Sequence, residues 1–396
     1  MSRLEIILFT AGIILYTILA VFTYSYVDLN LTLSQNPIFL SFAKTMQQLG
    51  YYNRPIAALV YLTLVIFTFS FFILNLWLFY RSKVSLKYLK VLLITNSLIL
   101  IFAYPFLSSD IFNYMFDAKI ILTYHANPYT HKPLDFPNDE WLRFMRWIHR
   151  YSPYGPLWLG YSLIPAVLGF GKFILNLLTF KLFIAVFHTI NAYLIYKISQ
   201  KINPKKSIFW TATYALNPLF LIEGVANAHN DILVATLLLL SVYFVSHKKN
   251  VFAILSLIFG TLIKYIPVIN IPWIILPILR KDPKKYILAS LISLSLFTYF
   301  FSSFKITVPF VSSGATQVQF QPWYLFWTLP YVSLLGSISL LLVTVSLSIG
   351  SSLRYLPYLY YGDWSHFGTN NYLQFVTVVP LLISVLFALI IKVFKR

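Results

Sequence analysis

Eleven carboxylates are all that this 396-residue chain owns, so where they stand bounds its acid–base chemistry. In "SSDIFNYMFD", Asp110 follows two serines, and Asp110, Asn113 and Asp117 fall on one face of a helix. Asp117 reads as part of that polar face. Asp110 sits where an apolar run ends, and two roles stay open for it: helix N-cap or base. A second group lies in "NPLFLIEGVANAHNDILVA", where Glu223, Asn227, His229, Asn230 and Asp231 crowd between two short apolar runs. Acid, imidazole and acid this close can bind a cation, hold a sugar by its hydroxyls or shuttle a proton. Asn230 or Asp231 also suits the cap of a helix beginning at Ile232; capping does not explain Glu223. In "GTLIKYIP", Lys264 falls between two half-length apolar runs beside a helix-breaking proline, where an ammonium is costly without an anion. A bound phosphate would supply one.

Aromatic clusters flank these groups. "YSPYGPLW" carries Tyr151 and Tyr154, and "QFQPWYLFW" carries Gln321 and Trp323. Rings for the apolar sugar face and polar groups for its hydroxyls suit a carbohydrate; they equally suit an aromatic belt at a membrane interface. The chain has no cysteine, which removes disulfides, thiolate metal ligands and thiol nucleophiles. It also lacks any Walker, GxGxxG, HExxH or GxSxG signature in a suitable context.

The elements that must position these residues are membrane helices. The chain is 59% hydrophobic, 19% aromatic and only 10% charged, far below the charged share of soluble domains. Its net charge of +19 does not point to nucleic acid, because the basic residues gather in alternate loops at 81–90, 197–206, 247–250 and 280–285 and at the C-terminus. Placing those loops and the N-terminus in the cytoplasm gives about twelve crossings, an even count that returns the C-terminus there too. The first run, from Leu4, reads as a retained helix and not as a signal peptide. Residues 157–171 read as a re-entrant or interfacial piece, and "DEWLRFMRWIHR" as a helix lying in the interface, with Trp141, Phe144, Met145 and Ile148 on its apolar side. The expected architecture is one all-α polytopic domain over 1–396 in the cell membrane, with a large outer loop at 108–156. Nine of the eleven acidic residues then face outward.

Taken in order, "SSDIFNY", "YSPYGPLW", "NPLFLIEGVANAHNDILVA", "GTLIKYIP" and "QPWYLFW" resemble the GT-C glycosyltransferases that use polyprenyl-phosphate sugars, with similarity to glycosyltransferase family 87 and related polyprenyl mannosyltransferases. The resemblance implies a GT-C transmembrane bundle whose first outer loop carries interfacial helices and the catalytic aspartate. It implies transfer of a hexose, mannose by family habit, from a polyprenyl-phosphate carrier to a lipid-linked or cell-envelope glycan acceptor, inverting the anomeric carbon on the outer face. Carried onto this chain, Asp110 takes the proton of the acceptor hydroxyl. Glu223, His229, Asn230, Asp231, Tyr151, Tyr154, Gln321 and Trp323 meet sugar or acceptor, while Lys264, Tyr265 and Arg354 meet the lipid phosphate; for Arg354 the case is electrostatic only. Many GT-C enzymes have two adjacent acids in this loop, whereas Asp110 stands alone with Asp117 two turns on, so neither metal nor other cofactor is expected. The rival expectation is a secondary transporter or flippase of a lipid-linked or small anionic substrate, since broken helices ending in charges also build transport sites.

Overall fold

The computed structural model describes residues 1–28, 35–303 and 320–394. Gln319 of the aromatic cluster, Phe304 at the end of one expected crossing, and Lys395 and Arg396 lie outside the described residues. Among the described residues all regular structure is helical.

Four helices precede the candidate site: α1 (Arg3–Thr23), α2 (Pro37–Gln47), α3 (Arg54–Tyr80) and α4 (Leu86–Ile101). Local sequence sets their starts. Ser2 and Glu5 form a reciprocal capping box on α1, Asn36 caps α2 with Pro37 in its first turn, and Ser85 caps α4. Then come α5 (Asp110–Leu122), α6 (Pro156–Leu168), α7 (Phe173–Ile202), α8 (Ser207–Ala215) and α9 (Asp231–Ser246). The C-terminal part holds α10 (Asn250–Thr261), α11 (Ile271–Ile275), α12 (Pro277–Arg280), α13 (Pro283–Ser303), α14 (Leu329–Leu335), α15 (Ile338–Leu353), α16 (Leu356–Tyr361) and α17 (Thr369–Phe394).

Five helical stretches among the described residues are long and apolar enough to cross a membrane: Arg3–Tyr26, Arg54–Tyr80, Phe173–Ile202, Ile338–Tyr361 and Thr369–Phe387. A sixth is the pair Phe220–Ala226 and Asp231–Ser246 if it counts as one span, bent by 115°. Other apolar runs are shorter or broken, and their freed backbone groups need partners inside the protein. Helix α7 supplies them. His188 places its two ring nitrogens 3.2 Å from Tyr214 Oη and from Ala215 O, at the end of α8, and Asn191 donates to Tyr214 Oη and Ile232 O, both at 3.0 Å. Lys181 likewise donates to Ala103 O just past α4. The first turns of α9 are buried all round, as a helix at the centre of a bundle must be.

The segment after α5 departs from the expected interfacial helix over 139–150. It forms only a 3₁₀ turn, Glu140–Phe144, after which Met145 is extended. Two causes are visible. Asp139 is bound to Lys119 at 2.5 Å, to Tyr124 Oη at 2.7 Å and to the Trp141 amide at 2.8 Å, which pins the segment to α5. Trp141 and Phe144 both pack on Phe173, with ring centres 5.3 and 4.2 Å away, and residues three apart eclipse in a 3₁₀ helix but not in an α-helix. Helix α5 itself is buried on nearly every side from Ile111 to Ala118, between α6, α7 and this covering segment, and is more enclosed than one polar face implied.

Candidate functional site

Asp110 is the first residue of α5, and the cap position belongs to Ser109, which makes no side-chain cap bond. The capping alternative for Asp110 therefore falls away. Its amide donates to Ser108 Oγ at 3.3 Å, leaving the carboxylate free to point away from its own helix. Likewise Asn230 stands at the cap position of α9 without a cap bond, so neither it nor Asp231 serves there as a side-chain cap.

Glu223 lies on a π-helical turn, Phe220–Ala226, a local unwinding often found where a side chain must be re-aimed. Gly224 permits that turn to lie on α9: a Cβ there would meet Ile232 Cδ1 at 2.8 Å. Ala228 then takes φ +58°, a costly value for a residue with a Cβ, and the chain turns back so that His229 faces Glu223.

The result is a row of three groups. Asp110 Oδ2 lies 3.7 Å from His229 Nδ1, and His229 Nε2 lies 3.4 Å from Glu223 Oε2. Neither approach has hydrogen-bond geometry, so both imidazole nitrogens are buried without a hydrogen-bond partner. Asn227 braces the far end, donating to Glu223 Oε2 at 3.1 Å while its own oxygen accepts the Leu107 amide at 3.2 Å. Trp323 stacks on the imidazole, centres 3.9 Å apart and planes within 20°, and fixes the ring's plane. His229 and Glu223 are 0% and 1% exposed, whereas Asp110 is 22% exposed. Asp110 is the one partly open member of the row.

Beside the row, Asp231 accepts from Lys264 Nζ at 2.6 Å and from Trp327 Nε1 at 2.8 Å. Lys264 remains 22% exposed, and an ammonium has three protons, so two are left for another anion. Burial raises the Asp110 carboxyl above the ordinary carboxylate range; His229 and Lys264 oppose this, and Asp231 and Glu223 add to it. A carboxylate made more basic in this way is a better proton acceptor. Tyr114 presents its edge to Tyr154 and to Trp158, both at 4.9 Å. Among the described residues no three His, Asp or Glu side chains converge as metal ligands do.

Asp110, Glu223, His229, Asp231, Lys264 and Trp323 thus come together, with Asn230 in the same turn and both ends of its amide unpartnered. Tyr151 and Tyr265 lie exposed on the surface, and Gln321 opens the 3₁₀ turn Pro322–Trp327; no hydrogen bond or ring contact joins these three to the row among the described residues. Arg354 is already engaged: its guanidinium donates to Leu373 O, Thr377 Oγ1 and Phe320 O at 3.1, 2.9 and 3.1 Å, tying α15 to α17. Trp327 and Tyr114 were not singled out by the sequence, although both stand inside the quoted motifs: Tyr114 falls on the apolar face of its helix, and Trp327 is one ring among several in its cluster.

A helical membrane protein that gathers a partly open carboxylate, aromatic rings and a cation has the parts of a membrane-embedded transferase. Residues 10–280 match the family described as alpha-(1->6)-mannopyranosyltransferase, N-terminal domain (MptA_B family), and the chain belongs to that family. It is a membrane glycosyltransferase of the mannosyltransferase kind. No curated protein and no solved structure matches it.

Proposed function

We propose that this chain moves mannose from a polyprenyl-phosphate carrier to a hydroxyl of a lipid-linked or cell-envelope glycan acceptor, inverting the anomeric centre, on the outer face of the cell membrane. The bundle is of GT-C type with about twelve crossings, both termini cytoplasmic, and the basic loops on the side away from Asp110. Asp110 removes the acceptor proton as the new C–O bond forms and the carrier phosphate leaves. His229 and Glu223 behind it keep the carboxylate's surroundings polar and, through it, bear on how the sugar is held. The single observation that carries this reading is that Asp110 is the one partly open member of a buried acid–imidazole–acid row.

Other features support the roles. Buried polar atoms without partners on His229 and Asn230 keep the surroundings of Asp110 polar, which suits a sugar brought against that carboxylate. Trp323 and Tyr154 offer ring faces. Lys264, with two protons unused, meets the leaving phosphate where negative charge develops, and so takes the part a metal would otherwise play. Asp110 and Glu223 meet across His229, and Asp231 holds Lys264, so the charges form a cluster and not a spaced series, which weighs against the transporter alternative.

The test is donor choice. Purified protein in nanodiscs with a membrane-lipid acceptor is given polyprenyl-phosphate mannose or a nucleotide-activated mannose, with a chelator present. Transfer from the lipid donor alone, unaffected by the chelator, is expected; transfer from the nucleotide donor alone contradicts the proposal.

A further inference from the structure

Two arginines away from the row form no salt bridge among the described residues. Arg146 donates to Tyr358 Oη at 2.7 Å, and its guanidinium carbon lies 5.4 Å from the centre of that ring. Arg54, in the first turn of α3, lies 5.7 Å over the Tyr51 ring and packs so closely on Gly362 that a Cβ there would meet the guanidinium carbon at 2.7 Å. Both therefore converge on α16, which holds Tyr358 and ends just before Gly362. The Tyr51 phenol stands in the field of both guanidiniums, with Asp28 acting on it as well. Among the described residues no salt bridge joins either arginine to a carboxylate.

Against the same short helix lies an open groove of about 620 Å³ between α3, α16 and the start of α17. Leu59, Leu62, Pro357, Tyr361, Phe367 and Tyr372 give it a largely apolar lining. At the roughly 30 Å³ that a small molecule such as water occupies in a liquid, it has room for on the order of twenty non-hydrogen atoms. That is about the size of one hydrocarbon chain. The wall of the groove is tied to α15: Tyr61, on α3 beside Leu62, donates to Ser352 O at 2.8 Å.

Two guanidiniums held against one short helix, neither in a salt bridge among the described residues, are phosphate-binding chemistry, and an apolar groove beside them is lipid chemistry. We infer that Arg54 and Arg146 hold the phosphate of a second, single-chain lipid whose chain lies in this groove, separate from the carrier phosphate at Lys264. In a transferase whose acceptor is lipid-linked, that second lipid is the acceptor's anchor; for this identity the inference rests on the transfer reading. The seat itself does not.

Native mass spectrometry of the purified protein titrated with a polyprenyl phosphate reads the seat by stoichiometry, without any transfer. Wild type is expected to retain two copies, Arg54→Gln/Arg146→Gln and Leu59→Trp one, and Lys264→Met one, with thermal unfolding used to confirm that each variant is folded. Leu62→Trp replaces Leu59→Trp if the latter fails to fold. Excess phosphatidylglycerol or unphosphorylated polyprenol is expected to leave the groove copy in place. A single copy in wild type, two copies in the arginine variant, or displacement by phosphatidylglycerol overturns the second seat. Two copies bound by a protein that transfers no sugar support the seat and sink the transfer reading alone.

Discussion

Asp117 shows what a buried carboxyl costs when no cation faces it. It is 3% exposed, one of its oxygens has no hydrogen-bond partner, and burial raises it from 3.8 to about 7, with the Ser152 hydroxyl pulling slightly the other way. Between those two values the folded chain holds a proton that the unfolded chain has lost. Stability therefore falls as pH rises through that window, by roughly 1.4 kcal/mol for each pH step of one, and the penalty is complete above about 7. Asp117→Asn removes the penalty. Thermal unfolding of wild type and variant is expected to show the variant more stable at pH 8 by a margin of about 1–4 kcal/mol that shrinks toward pH 5; an equal margin at both values would contradict this account. At this scale the sequence was legible where chemistry is dense. Asp110, Glu223, His229 and Asp231 stood out by type and place, and they do converge. Arg354 did not reveal itself, because a cation near an aromatic cluster looks the same whether it awaits a phosphate or, as here, spends its donors on two carbonyls and a threonine.

Broken elements position the site and set what could be foreseen among the helices. The turn carrying Lys264 is held from outside: the Gly155 amide donates to Ile263 O and the Leu157 amide to Leu262 O, both at 3.0 Å. Gly155 is required for that approach, since a Cβ there would lie 2.1 Å from Leu262 O. Gly155→Ala is expected to destabilise the protein by about 1–3 kcal/mol and to lower transfer by pushing the Lys264 turn away from Asp231. Its unfolding midpoint and its rate report the two effects, and a variant equal to wild type in both would show that this docking is incidental. The breaks themselves were legible from proline and polar clusters at Pro267 and at "HND". The 3₁₀ turn at Glu140–Phe144 was not. The periodicity of "DEWLRFMRWIHR" fits an α-helix, and what overrides it is tertiary: the Asp139–Lys119 pair and the shared packing on Phe173.

For the whole molecule, hydropathy and the placement of basic residues pointed to a helical membrane bundle before any contact was known, because lipid leaves an apolar chain few alternatives. The number of crossings was harder to read, since half-length runs such as α8 and α10 are held by partners that only folding reveals. Sidedness can be tested directly, because the chain has no cysteine. In intact cells, a membrane-impermeant thiol reagent is expected to label His131→Cys and to spare Lys205→Cys; the reverse pattern would invert the topology. The central claim concerns one carboxylate in that frame. Initial rates of sugar transfer by wild type and Asp110→Asn, purified in nanodiscs and matched for thermal stability, test it most directly. Loss of about 10²–10⁴-fold in rate, with lipid-donor binding retained, is the result expected of a missing general base. A variant that transfers at the wild-type rate would contradict the account.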